Sequence, residues 1–265
     1  MINYRLLEDN LDVFATQFKR ALPHSHLVID NFLDAESAIQ AYHAFPKMEE
    51  MDTLRDFRQH KAQDPRIDKF DPVFHKIIFD HLHSPRMMAI LSKITGIESL
   101  IPDTKLYASG LAQSCDGGFL NVHLDNSSHA KEDWYRRLNL LIYLNLKWTE
   151  EKGGHLELWD QGMKNSAEIL PIFNRMTIFA TDKKSWHGHK RVNTPDGDTR
   201  KSINIYYFTE ASPDGTTYHH VTSFRGRREE VLKKILYPVD NIIRSAVRQL
   251  RPNKDSHAVL YEREK

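Results

Sequence analysis

Between Thr104 and Thr209 the chain reads as eight short β segments in succession, near residues 104–113, 119–123, 138–147, 155–159, 168–171, 175–180, 185–192 and 201–209, separated by Gly, Asp and Asn. No helical period interrupts this run. Strands without crossover helices pair antiparallel, so the segment is expected to form a closed or sandwiched antiparallel sheet. Helical patterns lie on either side of it. Leu6, Leu7, Leu11, Phe14 and Phe18 fall at helical spacing over residues 5–20, and His26–Asp30 reads as a short strand. A helix is expected from Asp34 through Phe45, stopped by Pro46, and further helices over Phe74–His83 and Pro85–Thr95. Residues 47–70 are charged and poorly periodic, and read as surface helix and loop. Residues 225–250 are helical again, divided by Pro238. The expected class is mainly β with flanking helices (α+β): one domain over 1–265, with a supporting segment 1–103, a β core 104–210 and a helical extension 211–265.

Composition narrows the function classes. The 37 Lys and Arg nearly cancel the 36 Asp and Glu, so no global field favours nucleic acid as a partner. Cys115 is the single cysteine, which excludes an intrachain disulfide and a multi-cysteine zinc site and suits a reducing, cytoplasmic setting. The N-terminus carries acids where a signal peptide carries basic residues, and no apolar stretch reaches membrane-spanning length, so neither export nor a membrane partner is expected. Glu229, Glu230 and Asp240 interrupt the basic C-terminal helices, which are expected to pack on the barrel and are candidates for homodimer contacts.

The chemistry concentrates at two places in the β run. In Asn121-Val-His123-Leu-Asp125 an imidazole and a carboxylate stand two positions apart at a strand end, where residues i and i+2 share a face. Two histidines and one carboxylate on one face of an octahedron are the preferred set for iron(II) in oxygenases, so a third ligand must come from elsewhere. Downstream, Ser185-Trp-His187-Gly-His189 offers two histidines at the same spacing, followed by Thr199-Arg200-Lys-Ser202 opening an apolar strand. Arg200 and Ser202 share a strand face. A guanidinium there offers paired donors to a carboxylate and stays charged at any working pH.

This ordered set resembles the iron(II)/2-oxoglutarate-dependent oxygenase family, particularly its prolyl 4-hydroxylase-like branch, over roughly residues 104–210. The resemblance implies a double-stranded β-helix barrel of the jelly-roll, cupin-like kind. It implies that His123, Asp125 and His187 hold iron(II), with His189 near the pocket or as a barrel histidine. Arg200, assisted by Ser202, would bind the distal carboxylate of 2-oxoglutarate. Arg137-Leu-Asn-Leu-Leu-Ile-Tyr143-Leu-Asn145 and the Gly153-Gly154 turn also resemble family segments, and Tyr143 would offer its phenol to that carboxylate; a core aromatic is the alternative reading. Implied cofactors are Fe(II), 2-oxoglutarate as cosubstrate and O2, with ascorbate as reductant. The implied activity is that of a 2-oxoglutarate-dependent dioxygenase of hydroxylase type, yielding succinate. An intact Asp125 argues for hydroxylation, because related halogenases place Gly or Ala there.

A small-molecule substrate, amino-acid-like or a specialised metabolite, is the first expectation. A protein prolyl residue is the second, and an inactive barrel acting as a binding module is the alternative of another class. Gln113 reads as a barrel-lining amide. Residues 126–136, with Trp134 and Tyr135, and part of 47–70 are expected to frame the entrance, the former as a mobile lid. His129 is expected to be solvated, and His24, His26, His83, His155, His219 and His220 to be surface or core residues.

Overall fold

A computed structural model describes residues 1–129, 131–213, 215 and 220–250; His219 and residues 251–265 lie outside them. The helix expected over residues 5–20 is two, α1 (Tyr4–Asp9) and α2 (Leu11–Arg20). Asn10 divides them, turning its amide back to the Leu6 carbonyl at 2.9 Å. β1 (His26–Asp30) follows, then α3 (Ala35–His43), whose Asp34 cap accepts the Ser37 N–H at 2.8 Å. β2 (Thr53–Arg55) and β3 (Gln59–Asp64) form a hairpin. α4 (Pro72–His75) runs into a π-helical turn over Lys76–Leu82, and α5 (Pro85–Thr95) ends on Gly96 at φ +71°.

The β run then supplies β4 (Ile101–Pro102), β5 (Gly110–Ser114), β6 (Phe119–Leu124), β7 (Tyr135–Tyr143), β8 (Leu156–Trp159), β9 (Ser166–Ile169), β10 (Arg175–Ala180), β11 (Trp186–His189) and β12 (Arg200–Thr209). β13 (Ser223–Phe224) and α6 (Val231–Leu250) complete the described chain. Each of the eight expected segments overlaps a strand, although residues 104–109 run in turns and β5 begins only at Gly110. All pairings are antiparallel, in the order β1-β10-β7-β12-β5-β3-β6-β11-β8-β9, with β2 on β3, β4 on β12 and β13 on β6. β3 closes the curl: it pairs with β5 at Ala62↔Gln113 and with β6 at Gln59↔Leu120, joining the two halves of the double-stranded β-helix.

Period-two alternation separates core from site. Leu138, Leu140 and Ile142 of β7, Met176 and Ile178 of β10, and Ile203, Ile205 and Tyr207 of β12 are buried in one cluster with apolar residues of α1–α5. The intervening residues, among them Asn139, Tyr143, Ser202 and Asn204, point the other way, into the curl. The helices therefore brace one wall of the barrel and leave its interior for polar side chains.

Two expectations need correction. Residues 47–70 are not surface helix and loop. They contain the β2–β3 hairpin, turned by the Asp56 carboxylate, which accepts the N–H groups of Arg58 at 2.7 Å and Gln59 at 3.1 Å. β3 exists because β5 and β6 present strand edges to it, and local periodicity carries no sign of that long-range pairing. The second correction concerns α6, which packs on the barrel as expected but runs as one helix through Pro238 instead of being divided there, and which docks by its polar side. The buried Tyr237 hydroxyl meets Asn121 and the Phe57 carbonyl, and Asn241 exchanges two hydrogen bonds with the Phe224 backbone, both at 3.0 Å. Leu232, Ile235, Leu236, Val239, Ile242 and Ile243 are each more than half exposed on the opposite side. No helix among the described residues is long and apolar enough to cross a membrane.

Candidate active site

β6 and β11 are neighbours, and His123 and His187 are direct register partners, their ring centroids 4.3 Å apart. Gly188 permits this approach: a Cβ there would lie 2.7 Å from the Leu120 carbonyl oxygen and 3.0 Å from the Val122 nitrogen. Asp125 follows β6 directly. The ligand-type atoms of His123, Asp125 and His187 lie within 4.8 Å of one another. Each Nε2 stands 3.4 Å from a different Asp125 oxygen. The Nδ1 of His123 is 3.0 Å from the Asn121 carbonyl and that of His187 is 2.9 Å from the Ser185 carbonyl, so both rings donate from Nδ1 and keep the Nε2 lone pair for the centre. Burial, then His123, push the His187 imidazole down to about 3, with Asp125 pulling the other way. A neutral ring is the form that binds a metal.

His189 is elsewhere. The register between β11 and β6 shifts between His187 and His189, so the two rings do not meet. His189 lines the cleft with its Nδ1 at 2.9 Å from the Lys190 carbonyl and its Nε2 at 3.4 Å from the Ser114 hydroxyl.

The Asp125 carboxylate has two partners that the sequence reading missed. Asn139 donates to Oδ2 at 2.7 Å, and the buried Arg136 guanidinium lies 3.2 Å from the same oxygen. Burial alone would raise this carboxyl, but Arg136, His187 and His123 hold it well below the usual carboxylate range. Arg136 is itself held by Asn126 at 3.0 Å and by the Tyr206 ring at 4.0 Å. Positions 136 and 139 should lie on opposite faces of a regular strand. The register shift between Tyr207 and Phe208, which leaves Arg137 as the extra residue on β7, brings both to Asp125, and no residue type in the sequence announces that bulge.

Ser202 of β12 stands directly opposite Tyr143 of β7. Arg200, two residues earlier on β12, places its guanidinium carbon 5.0 Å from the Tyr143 ring centroid. Its Nε donates to the Gly154 carbonyl at 2.7 Å, and no carboxylate pairs with it among the described residues. Gly154 is required here: it sits at φ +66°, and a Cβ would press within 2.9 Å of Arg200 Cδ. The Tyr143 and Ser202 hydroxyls are buried with no hydrogen-bond partner. A buried cation beside two unsatisfied hydroxyls fits a carboxylate.

The triad and Arg200 border one cleft of about 580 Å³, whose outer wall is the β2–β3 hairpin. Part of residues 47–70 therefore frames the entrance, as expected. Residues 126–136 do so only through Asn126 and Arg136. That segment is tied down: Ser127 N–H donates to the His220 carbonyl at 3.2 Å, and Arg136 N–H to the Ser127 carbonyl at 2.9 Å. Tyr135 is buried, and Trp134 packs on Phe208 and on His129, which is buried rather than solvated and lies 3.5 Å from Asp103. Gln113 lines the cleft, its amide held by the Pro46 carbonyl at 3.0 Å.

Residues 109–208 match the profile of the 2OG-Fe(II) oxygenase superfamily. A mouse protein named prolyl 3-hydroxylase OGFOD1 is 23% identical over 205 residues, covering 74% of this chain and 35% of the mouse protein, so the chain spans about a third of that relative. A prolyl hydroxylase from Trichoplax adhaerens, solved with a hypoxia inducible factor oxygen degradation domain peptide fragment, shares the fold with a TM-score of 0.53 at 18% identity, over 79% of this chain and 94% of that one. A prolyl 4-hydroxylase from Phytophthora capsici gives a TM-score of 0.55 at 15% identity, over 94% and 78%.

Proposed function

We propose that this chain, whose residues 109–208 belong to the 2OG-Fe(II) oxygenase superfamily, is a 2-oxoglutarate-dependent dioxygenase that hydroxylates a prolyl residue of a peptide or protein. One observation carries the enzymatic reading. His123, Asp125, His187 and Arg200 line one chamber, and the buried Tyr143 and Ser202 hydroxyls without partners stand beside Arg200, a pairing of metal-type ligands with a carboxylate-type cradle that a metal-chelating keto acid with a distal carboxylate requires.

In this reading His123, Asp125 and His187 hold iron(II), and Arg200, Ser202 and Tyr143 hold the distal carboxylate of 2-oxoglutarate. When bound, the metal and 2-oxoglutarate supply the O2-dependent oxidation of an unactivated C–H bond, with 2-oxoglutarate leaving as succinate and carbon dioxide. The chain's own residues do the positioning. Asn139 and Arg136 fix the Asp125 carboxylate, and the Asn121 and Ser185 carbonyls fix the two imidazole tautomers. Phe179 packs against His187 with centroids 4.7 Å apart and dries the chamber on that side.

The prolyl substrate is placed ahead of the small metabolite expected from the sequence on two grounds. The mouse relative is named a prolyl 3-hydroxylase, and the cleft opens along a hairpin edge, where the exposed Thr53 and Arg55 can meet an extended chain. The test is succinate formation by the purified chain with iron(II), 2-oxoglutarate and ascorbate, with mass spectrometry of proline-containing peptides. Succinate that depends on Arg200, with a peptide gaining one oxygen at proline, supports the reading. No succinate under any condition returns the chain to a binding module.

A further inference from the structure

The charges around the cleft do not balance, and the imbalance points to the substrate. Arg55, Arg58, Lys61, Arg136 and Arg200 line it, against two carboxylates, Asp56 and Asp125. Arg58 also reaches Asp240 at 3.6 Å, which brings the acids to three. An iron(II) ion and a 2-oxoglutarate dianion cancel each other. The loaded cleft therefore keeps a surplus of two positive charges.

Most of the cations already have work. Arg58 is held by Asp56 at 2.8 Å, Arg136 by Asp125 at 3.2 Å, and Arg200 faces the carboxylate cradle. Arg55 is exposed at the mouth. Lys61 differs from all of these. It lies on β3, the strand that joins the two halves of the barrel, where Gln59, Lys61 and Gln63 alternate toward the cleft and Ala62 is fully buried behind them. The Lys61 ammonium donates to the Gln63 amide oxygen at 2.7 Å, and no carboxylate pairs with it among the described residues. Asp125 and Arg200 line the same cleft, one in the metal-type set and the other in the carboxylate cradle, and both act on Lys61 electrostatically. Lys61 is half-buried with one amide partner, and an anion offered from the cleft would give its ammonium a charged partner.

We propose that Lys61 is a subsite for a carboxylate of the primary substrate, so that the chain selects an acidic residue close to the reacting proline. This rests on the dioxygenase reading above and adds the substrate's charge to it. A side-chain carboxylate of a peptide and the free carboxylate of a smaller prolyl compound offer the same chemistry, and the experiment separates them.

Fluorescently labelled proline-centred peptides carry a single Glu at each of the three positions before or after proline, beside Gln and Lys counterparts. N-acetyl-prolyl-glutamate serves as the small competitor. Binding is read by polarisation with zinc(II) and 2-oxoglutarate present, so that no turnover is needed, and the 2-oxoglutarate requirement is read separately as succinate formed with iron(II). The expected result is at least tenfold tighter binding of one Glu peptide than of its Gln counterpart. Lys61→Met should reduce that preference to twofold or less, and Lys61→Arg should keep most of it, both with the wild-type 2-oxoglutarate requirement. Competition by N-acetyl-prolyl-glutamate at the peptide's own affinity would assign the site to small prolyl carboxylates and leave the Lys61 subsite standing. The proposal is overturned if the preference survives in Lys61→Met or if no Glu position is preferred by the wild type. It is equally overturned if Lys61→Met raises the 2-oxoglutarate requirement tenfold, since Lys61 would then serve the cosubstrate. Absence of succinate from the wild type overturns the dioxygenase reading, and with it the subsite that rests on it.

Discussion

Ser202 on β12 and Tyr143 on β7 are register partners, and both of their buried hydroxyls lack a hydrogen-bond partner beside the Arg200 guanidinium. An unsatisfied buried hydroxyl costs about 1–3 kcal/mol. Removing it should therefore help the cofactor-free protein while harming cosubstrate binding. Ser202→Ala is expected to leave the cofactor-free melting temperature unchanged or higher, and to raise the 2-oxoglutarate concentration needed for half-maximal succinate formation by about tenfold, the worth of one hydrogen bond to a charged group. Arg200→Ala should raise that requirement further, with metal affinity nearly unchanged. Calorimetry with manganese(II) and succinate assays read the two quantities, and equal loss of metal and 2-oxoglutarate affinity would refute the assignment.

Asp125 depends on neighbours for its orientation. Asn139→Ala removes its 2.7 Å donor, and Arg136→Met removes the cation at 3.2 Å. Each is expected to weaken manganese(II) or zinc(II) binding by about 10–100-fold, as is typical when the groups supporting a ligand are lost. Unchanged metal affinity in both variants would show that Asp125 is not a ligand.

Gly188 sets the distance between the two histidines. In Gly188→Ala the new Cβ meets the Leu120 carbonyl at 2.7 Å, and backbone must move to relieve it. A loss of about 1–3 kcal/mol is expected from such overpacking. The added stabilisation that zinc(II) is expected to give the wild type should be absent from this variant, because β11 can no longer lie flush on β6. Differential scanning calorimetry with and without zinc(II) reads both effects.

The tie-down of residues 126–136 leads to a negative result in proteolysis. His129, Tyr135 and Arg136 are buried, and the segment is hydrogen-bonded to itself and to His220. Cleavage between Asn126 and Arg137 should be slow and should not change when 2-oxoglutarate and a peptide are added. Ligand-dependent protection there would restore a moving lid.

Burial pushes the Lys61 ammonium down to about 8, with Asp125 resisting and Arg200 adding to the drop. A lysine lowered in this way is charged below that value and neutral above it. Affinity for an acidic peptide should therefore fall as pH rises through about 8, and somewhat later if the bound carboxylate holds the proton on. Lys61→Arg should flatten the profile over the same range, because a guanidinium does not titrate there. Polarisation measured across that range checks both.

Several things could be settled from the residues alone, because they depend on local order. β-rich segments broken by Gly, Asp and Asn located the eight core strands, and period-two alternation put Arg200 and Ser202 on one face. The two-residue spacing from His123 to Asp125 survives any detail of packing, and the acidic cap at Asp34 acts through neighbours a few positions away. What the tertiary structure decided depends on contacts far apart in sequence. It separated His187 from His189 by a register shift against β6 and brought Arg136 and Asn139 together through a bulge on β7. It made a strand of Gln59–Asp64 by offering it the edges of β5 and β6, which turned an apparently aimless charged stretch into a cleft wall carrying Lys61. It also set the polar side of α6 against the barrel. A strand's register and a helix's docking face are fixed by partners that no local pattern records, whereas the alternation within each strand is written in the strand itself.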